Sequence, residues 1–120
     1  MNEGMIPIMT SVEIAADASV ATNNNATVGT WSKPGSTTGI YRWVSADKIK
    51  GPAAMVFPLI EFRAPVAVDL KAQIHAKSID STTGLLTVDV ILNAVATPTD
   101  PSAVCGIEMV VWCKTSGVNP

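Results

Sequence analysis

The chain has 120 residues and a formal net charge of −2; 48% of its residues are apolar and only 15% are charged. That length fits one domain, and the apolar share is enough to build a buried core. A weakly acidic chain argues against a nucleic-acid packager, and a charged share well under the usual ~25% describes a surface suited to packing against copies of itself or a partner.

Residues 1–9 (MNEGMIPIM) are apolar and irregular around Pro7 and read as an extended arm, ahead of a single β domain over 10–115 and a tail over 116–120. Met1–Asn2–Glu3 carries no positive charge and no apolar run follows it, so no signal peptide is expected. A continuous apolar run of about eighteen residues, as a spanning helix needs, is missing too; the expectation is synthesis in a host cytoplasm and no membrane contact. The opening contains Glu3, Glu13 and Asp17 and neither Lys nor Arg up to Trp31, unlike a basic arm that condenses a genome.

Val12, Ile14 and Ala16 alternate with Ser11, Glu13 and Ala15, which predicts a first strand. Asn23–Asn24–Asn25 predicts a turn, because Asn tolerates left-handed backbone. Ala26–Trp31 follows as a second short strand, making the opening a hairpin. Ser32–Gly39 (SKPGSTTG) is a loop with a Pro34–Gly35 turn signal. Ile40–Val44 predicts a strand with Tyr41 and Trp43 on one face. Ser45–Pro52 holds the one helical hint, with Ser45 as a cap before Ala46–Lys50. Ala53–Arg63 is a strand interrupted at Pro58, the mark of an edge strand.

From Val66 to Lys77 the alternation is strict. Val66, Val68, Leu70, Ala72, Ile74 and Ala76 are apolar; Asp69, Lys71, Gln73, His75 and Lys77 are polar. This period of two is a strand with one dry and one wet face. Ser78–Gly84 is a hairpin connection, and Leu85–Val95 returns with Leu86, Val88, Val90, Leu92 and Ala94 on a shared face. Ala96–Ser102 is a loop with two prolines, and Cys105–Lys114 is the last strand. The fold class is therefore all-β: about seven mostly antiparallel strands in a sandwich or curled sheet, with an extended N-terminal arm.

Candidate chemistry is sparse. Cys105 and Cys113 stand eight residues apart along one strand, ~26 Å, whereas a disulfide needs Cα atoms within ~7 Å. They share a face with Ile107, Met109 and Val111 and read as buried thiols. With one His and no Cys-x-x-Cys spacing, neither a metal site nor a cofactor is expected. Asp69 and Asp89 would be cross-strand carboxylates in a suitable register, but no catalytic motif surrounds them, so no enzyme is expected. Lys71, Gln73, His75 and Lys77, with Arg63 upstream, form a basic wet face of the kind that can meet RNA phosphates. Tyr41 and Trp43 fit interface anchors or, as an alternative, a platform for a sugar ring. Val110 and Trp112, opposite the cysteines, are the other interface candidates.

In its small size, low charge, Thr, Ala, Val and Asn content and Ser/Thr/Pro loops, the chain resembles small all-β bacteriophage virion proteins, including capsid cement (decoration) proteins. The succession VAVDLKAQIHAK, SIDSTTG, LLTVDVILNAV, ATPTDPSAV, CGIEMVVWCK is similar in layout to the last three strands of single-stranded RNA phage coat proteins, without that family's C-terminal helices. The resemblance implies a structural virion protein. Its partners would be copies of itself or a major capsid protein. If the coat layout holds, Lys71, Gln73, His75 and Lys77, with Thr87 and Asp89, would face RNA. A cement role is the preferred expectation, because the arm is not basic.

Overall fold

The computed structural model describes residues 6–35, 37–62 and 69–115. Among them the chain has eight strands and no helix: β1 (Ile6–Ile14), β2 (Val20–Asn23), β3 (Gly29–Ser32), β4 (Ile40–Phe62), β5 (Lys71–Ile79), β6 (Leu85–Ala94), β7 (Thr97–Pro98) and β8 (Cys105–Thr115). All pairings are antiparallel, so the all-β, antiparallel expectation holds. Two sheets share β4. Its first half pairs with β3 and β6, and β6 carries β5 and β7; its second half pairs with β8, followed by β1 and β2.

This 23-residue strand corrects the expected division into Ile40–Val44, a helical turn and Ala53–Arg63. The chain changes sheet without leaving the extended state, with register shifts between Val44 and Lys48 and between Lys50 and Met55. Irregularities of this kind let a strand turn the corner between packed sheets. Ser45, expected as a helix cap, is buried instead. Its hydroxyl donates to the Asp47 carbonyl (2.8 Å) and accepts from the Leu86 N–H (2.9 Å), tying the bend to β6. Arg63 lies outside the described residues.

The opening also differs from expectation. Ile6–Met9, expected to be arm, is strand, paired with Val110–Cys113, because β8 is long enough to give it a ladder partner. Residues 1–5 and 116–120 lie outside the described residues. β1 turns into β2 through Ala15–Ser19, where the Ser19 N–H and hydroxyl both donate to Asp17 Oδ1 (3.0 and 2.6 Å). β3 pairs not with β1 but with β4, placing Trp31 opposite Trp43.

The expected Val66–Lys77 strand begins at Lys71 and runs to Ile79; residues 63–68 lie outside the described residues. Between Ile74 and Ala76 the register slips by one, leaving His75 as the extra residue of a bulge. A one-residue slip exchanges faces. Lys77 therefore stands opposite the buried Val88, and it does not share the face of Lys71 and Gln73.

The core lies between the sheets. Val12 and Ile14 of β1 and Ile107, Met109 and Val111 of β8 meet Tyr41 and Trp43 of β4 and Leu86, Val88, Val90 and Leu92 of β6, all fully buried. Each such side chain contributes roughly 1.5–3 kcal/mol on leaving water. Cys105 and Cys113 line the same inner surface and form no disulfide, as their spacing requires. Burial pushes the Cys113 thiol above its ordinary pKa.

Carboxylates hold three loops. Asp17 accepts from Ser19, and Asp80 accepts the Thr82 and Thr83 N–H groups (2.7 and 2.8 Å); these bonds hold both carboxyls below their ordinary pKa. Asp100 is pushed up by burial, but the Lys33 ammonium (2.8 Å) and the Gly39 N–H (2.6 Å) outweigh that and hold it low. A depressed folded pKa stabilises above the ordinary carboxylate range, and that contribution is lost as pH falls through the folded value. Cys113 works in the other direction: its raised pKa is a contribution present at neutral pH and lost as pH rises into the alkaline range. Melting temperature is therefore expected to be flat through neutral pH, to fall below about pH 4 and to fall again above about pH 9. Thermal melts from pH 2.5 to 10 check this; a melting temperature that rises on acidification would contradict it.

Candidate docking face

Sheet edges and sheet faces are the surfaces through which a β protein can dock, and here several edges are guarded. On the open side of β1, beyond its pairing with β2, the Asn24 N–H donates to the Ser11 carbonyl (3.1 Å) and the Asn25 side-chain amide to the Met9 carbonyl (2.9 Å). The Asn turn thus takes the place of an incoming strand. The second half of β4 pairs with β8 on one side; on its other side no strand pairs among the described residues, and Pro58 stands mid-way along it. β5 carries Lys71, Lys77 and the His75 bulge. Proline, lysine and bulges on edge strands discourage strand addition.

The outer face of the β3–β4–β6–β5 sheet is mainly polar. Arg42 and Asp89, cross-strand neighbours, form a two-pronged ion pair (2.8 and 3.1 Å), and Asn93 donates to Gln73 (3.2 Å). Lys71, Gln73 and His75 are exposed here, as expected of an outward face, but Lys77 leaves the row through the bulge. The Arg42 charge is answered by Asp89, so the residues proposed to meet RNA do not extend into a broad basic surface. Asp89 stands opposite Ala76 rather than Asp69, and the two carboxylates are not the cross-strand pair a glycosidase would need.

The outer face of the β1–β8–β4 sheet is different. Its cross-strand rows are Pro7–Trp112–Met55, Met9–Val110–Phe57, Ser11–Glu108–Leu59 and Glu13–Gly106–Glu61. Met9, Phe57 and Leu59 are 65%, 56% and 62% exposed, although apolar side chains of this size are ordinarily withdrawn from water. Val110 and Trp112 are half-buried between them. An open groove of ≈ 620 Å³ runs across this face, walled by Asn24 and Asn25 on one side and Phe57 and Leu59 on the other, with Glu108 and Val110 in its floor. A contiguous apolar patch of this kind marks an interaction surface.

The four interface candidates therefore divide. Val110 and Trp112 stand on this outer face, with Met9, Phe57 and Leu59 beside them, which the sequence reading did not single out. Tyr41 and Trp43 do not; both are fully buried. The Tyr41 hydroxyl donates to the Ala18 carbonyl (2.6 Å), and burial, with the nearby Asp100 charge, pushes its pKa far up. Trp43 packs so closely on Gly29 that a Cβ there would collide with the indole. Neither ring is open to a sugar, which removes the platform for the carbohydrate alternative. Among the described residues no group of three or more His, Cys, Asp or Glu is placed to hold a metal ion. Comparison with protein-family models, with curated proteins and with solved structures found no match.

Proposed function

We propose that this chain is a non-enzymatic structural subunit of a bacteriophage particle, a cement protein that works by docking through the outer face of the β1–β8–β4 sheet. The observation that carries the docking is the exposed Met9, Phe57 and Leu59 around Val110 and Trp112. The bacteriophage setting rests on the resemblance in composition and strand layout. A small patch of weak contacts suits a protein held on a repeating lattice, where many copies engage at once and each gains from the others.

The test is size-exclusion chromatography with light scattering on wild type and Phe57→Asp, reading the 260/280 nm ratio of each peak. The expected result is association free of nucleic acid that Phe57→Asp abolishes, with the melting temperature changed by no more than about 2 °C, because position 57 faces water. Association that survives Phe57→Asp would overturn the assignment of this face. A megadalton peak rich in nucleic acid would overturn the cement role in favour of a shell-forming coat with an RNA-facing sheet.

A further inference from the structure

The β6–β7 hairpin closes through two residues, Val95 and Ala96, between the paired Ala94 and Thr97. Val95 has φ +59°. Loops this short call for positive φ at their first position, and Gly, Asn or Asp ordinarily supplies it. A β-branched residue there is an outlier that costs backbone energy. Its side chain recovers none of that cost within the molecule, because Val95 is 102% exposed, the most of any large apolar residue among those described. Strain kept at a surface position that adds nothing to the core is a mark of function. Ala96, Thr97 and Pro98 are exposed beside it, so the tip itself is uncharged. One cation stands near. Lys71, exposed on β5, is opposite Asn93, two residues before Val95, which places it ~8 Å from the tip along the sheet. Asp69, also exposed, precedes β5 and lies outside that row.

We propose that the occupant of the docking groove is this hairpin tip of a second copy, with Val95 seated over Val110 between the Phe57 and Leu59 wall and the Asn24 and Asn25 wall. The inference rests on the docking reading above and names its partner. The groove, open and ≈ 620 Å³ in volume, has room for both loop residues. Glu108 lies in its floor, exposed, two residues and ~7 Å from Val110. A tip whose valine reaches Val110 therefore brings Lys71 to Glu108. An apolar knob with a cation to one side meets an apolar groove with a carboxylate at a matching distance, and unlike charges paired in this way fix the orientation of a contact. The tip continues β6 of one sheet, whereas the groove lies on the outer face of the other. The molecule does not fill its own groove, since its Val95 stands in water. Each copy thus offers one tip and one groove. A contact between two unlike surfaces is heterologous, and it leaves a tip and a groove free at the ends to take further copies. A tip of four residues covers far less than the ~1,200–2,000 Å² of stable complexes, so a single contact is weak and gains when many are held on one lattice.

The experiment is sedimentation equilibrium at rising protein concentration on wild type, Val95→Gly, Phe57→Asp and an equimolar mixture of the two variants, each with a thermal melt to verify folding. The wild type is expected to form a series of oligomers that does not stop at the dimer. Val95→Gly keeps the groove and loses the knob. Its association should fall at least tenfold while its melting temperature does not fall, because glycine adopts positive φ freely. Phe57→Asp keeps the knob and loses the groove. The mixture should form a dimer of one copy of each and nothing larger, since the intact tip of one variant fits the intact groove of the other and the remaining tip and groove are both disabled. Lys71→Glu and Glu108→Lys should each weaken association, and the two together in one chain should restore it. A wild type monomeric at every attainable concentration overturns the inference. So does a mixture of folded variants that stays monomeric, and association that ignores the charge reversals overturns this seating of the tip. Association lost in Phe57→Asp but unchanged in Val95→Gly overturns the tip as occupant and leaves the docking face standing. Association indifferent to both variants overturns both.

Discussion

Trp43→Ala is expected to destabilise the fold by about 3–5 kcal/mol, the range for removing a large aromatic from a packed core. That is a large part of the ~5–15 kcal/mol that holds a typical domain folded. Trp43 is fully buried, stands between Trp31 of β3 and Val88 of β6, and lies on Gly29. Trp31 is itself fixed by donation from its Nε1 to the Thr10 hydroxyl (2.8 Å), which bridges the two sheets. The void left by Trp43 would open where β3, β4 and β6 meet, and the surrounding strands cannot collapse into it without breaking their ladders. Trp43→Phe should cost much less than Trp43→Ala. It keeps most of the apolar volume and removes an indole N–H that is buried without a hydrogen-bond partner among the described residues. Urea unfolding measures both. An interface anchor would give the opposite pattern, with association lost and the unfolding midpoint unmoved.

That contrast shows where sequence pattern stops being informative. A period of two identifies a strand, but it identifies the inner face only when the two faces differ in polarity. In β6 they do: Leu86, Val88, Val90 and Leu92 alternate with Thr87, Asp89 and Asn93, and the buried set was legible. In β8 Gly106 and Glu108 mark the outer face clearly enough to place Val110 and Trp112 on it and the two cysteines inside. Along Ile40–Val44, Ile40 and Val44 flank Arg42 on one face and are as apolar as Tyr41 and Trp43 on the other, so a single charge is all that separates the faces and the aromatic pair reads equally as anchors pointing outward. The passage of β4 between sheets was illegible for another reason. The chain at Ser45–Lys48 has the composition of a helix start, but long-range bonds hold it extended: the Leu86 N–H donates to the Ser45 hydroxyl, the Ala46 N–H to the Val28 carbonyl and the Ile49 N–H to the Gly84 carbonyl. The His75 bulge carries no glycine to announce it, and it redistributes the row expected to face RNA. Met9, on β1, and Phe57 and Leu59, on β4, belong to two strands far apart in the chain that only the β8 ladder brings together. Met9 falls in an irregular apolar stretch that reads as arm, and Phe57 and Leu59 flank a proline, which marks an edge and says nothing of a face.

Gly39→Ala is expected to cost about 2–5 kcal/mol, the sum of a left-handed backbone penalty of ~1–2 kcal/mol and an overpacking penalty of ~1–3 kcal/mol. Gly39 has φ +74°, which an L side chain rarely adopts. A Cβ there would stand 2.9 Å from both the Leu92 carbonyl oxygen and the Thr99 nitrogen. Those two atoms are hydrogen-bonded to each other at 2.9 Å, and their bond folds the loop after β7 back onto β6. The backbone of Gly39 is committed as well: its carbonyl accepts from Leu92 (2.8 Å) and its N–H donates to Asp100. Asp100 in turn holds the Lys33 ammonium, which lies 4.5 Å from the centre of the Tyr41 ring. Displacing Gly39 therefore disturbs the whole corner, and neither neighbour is a flexible side chain able to move aside. Gly35→Ala is the control, because Gly35 has φ +54° but nothing within 4 Å of its Cβ position, so only the backbone penalty of ~1–2 kcal/mol applies. Unfolding free energies of the two variants separate the contributions. If Gly39→Ala cost no more than Gly35→Ala, the close approach to Leu92 and Thr99 would not be what requires glycine at position 39. A clear excess at Gly39 would show that the β6–β7 corner is held by a backbone contact that no other residue permits.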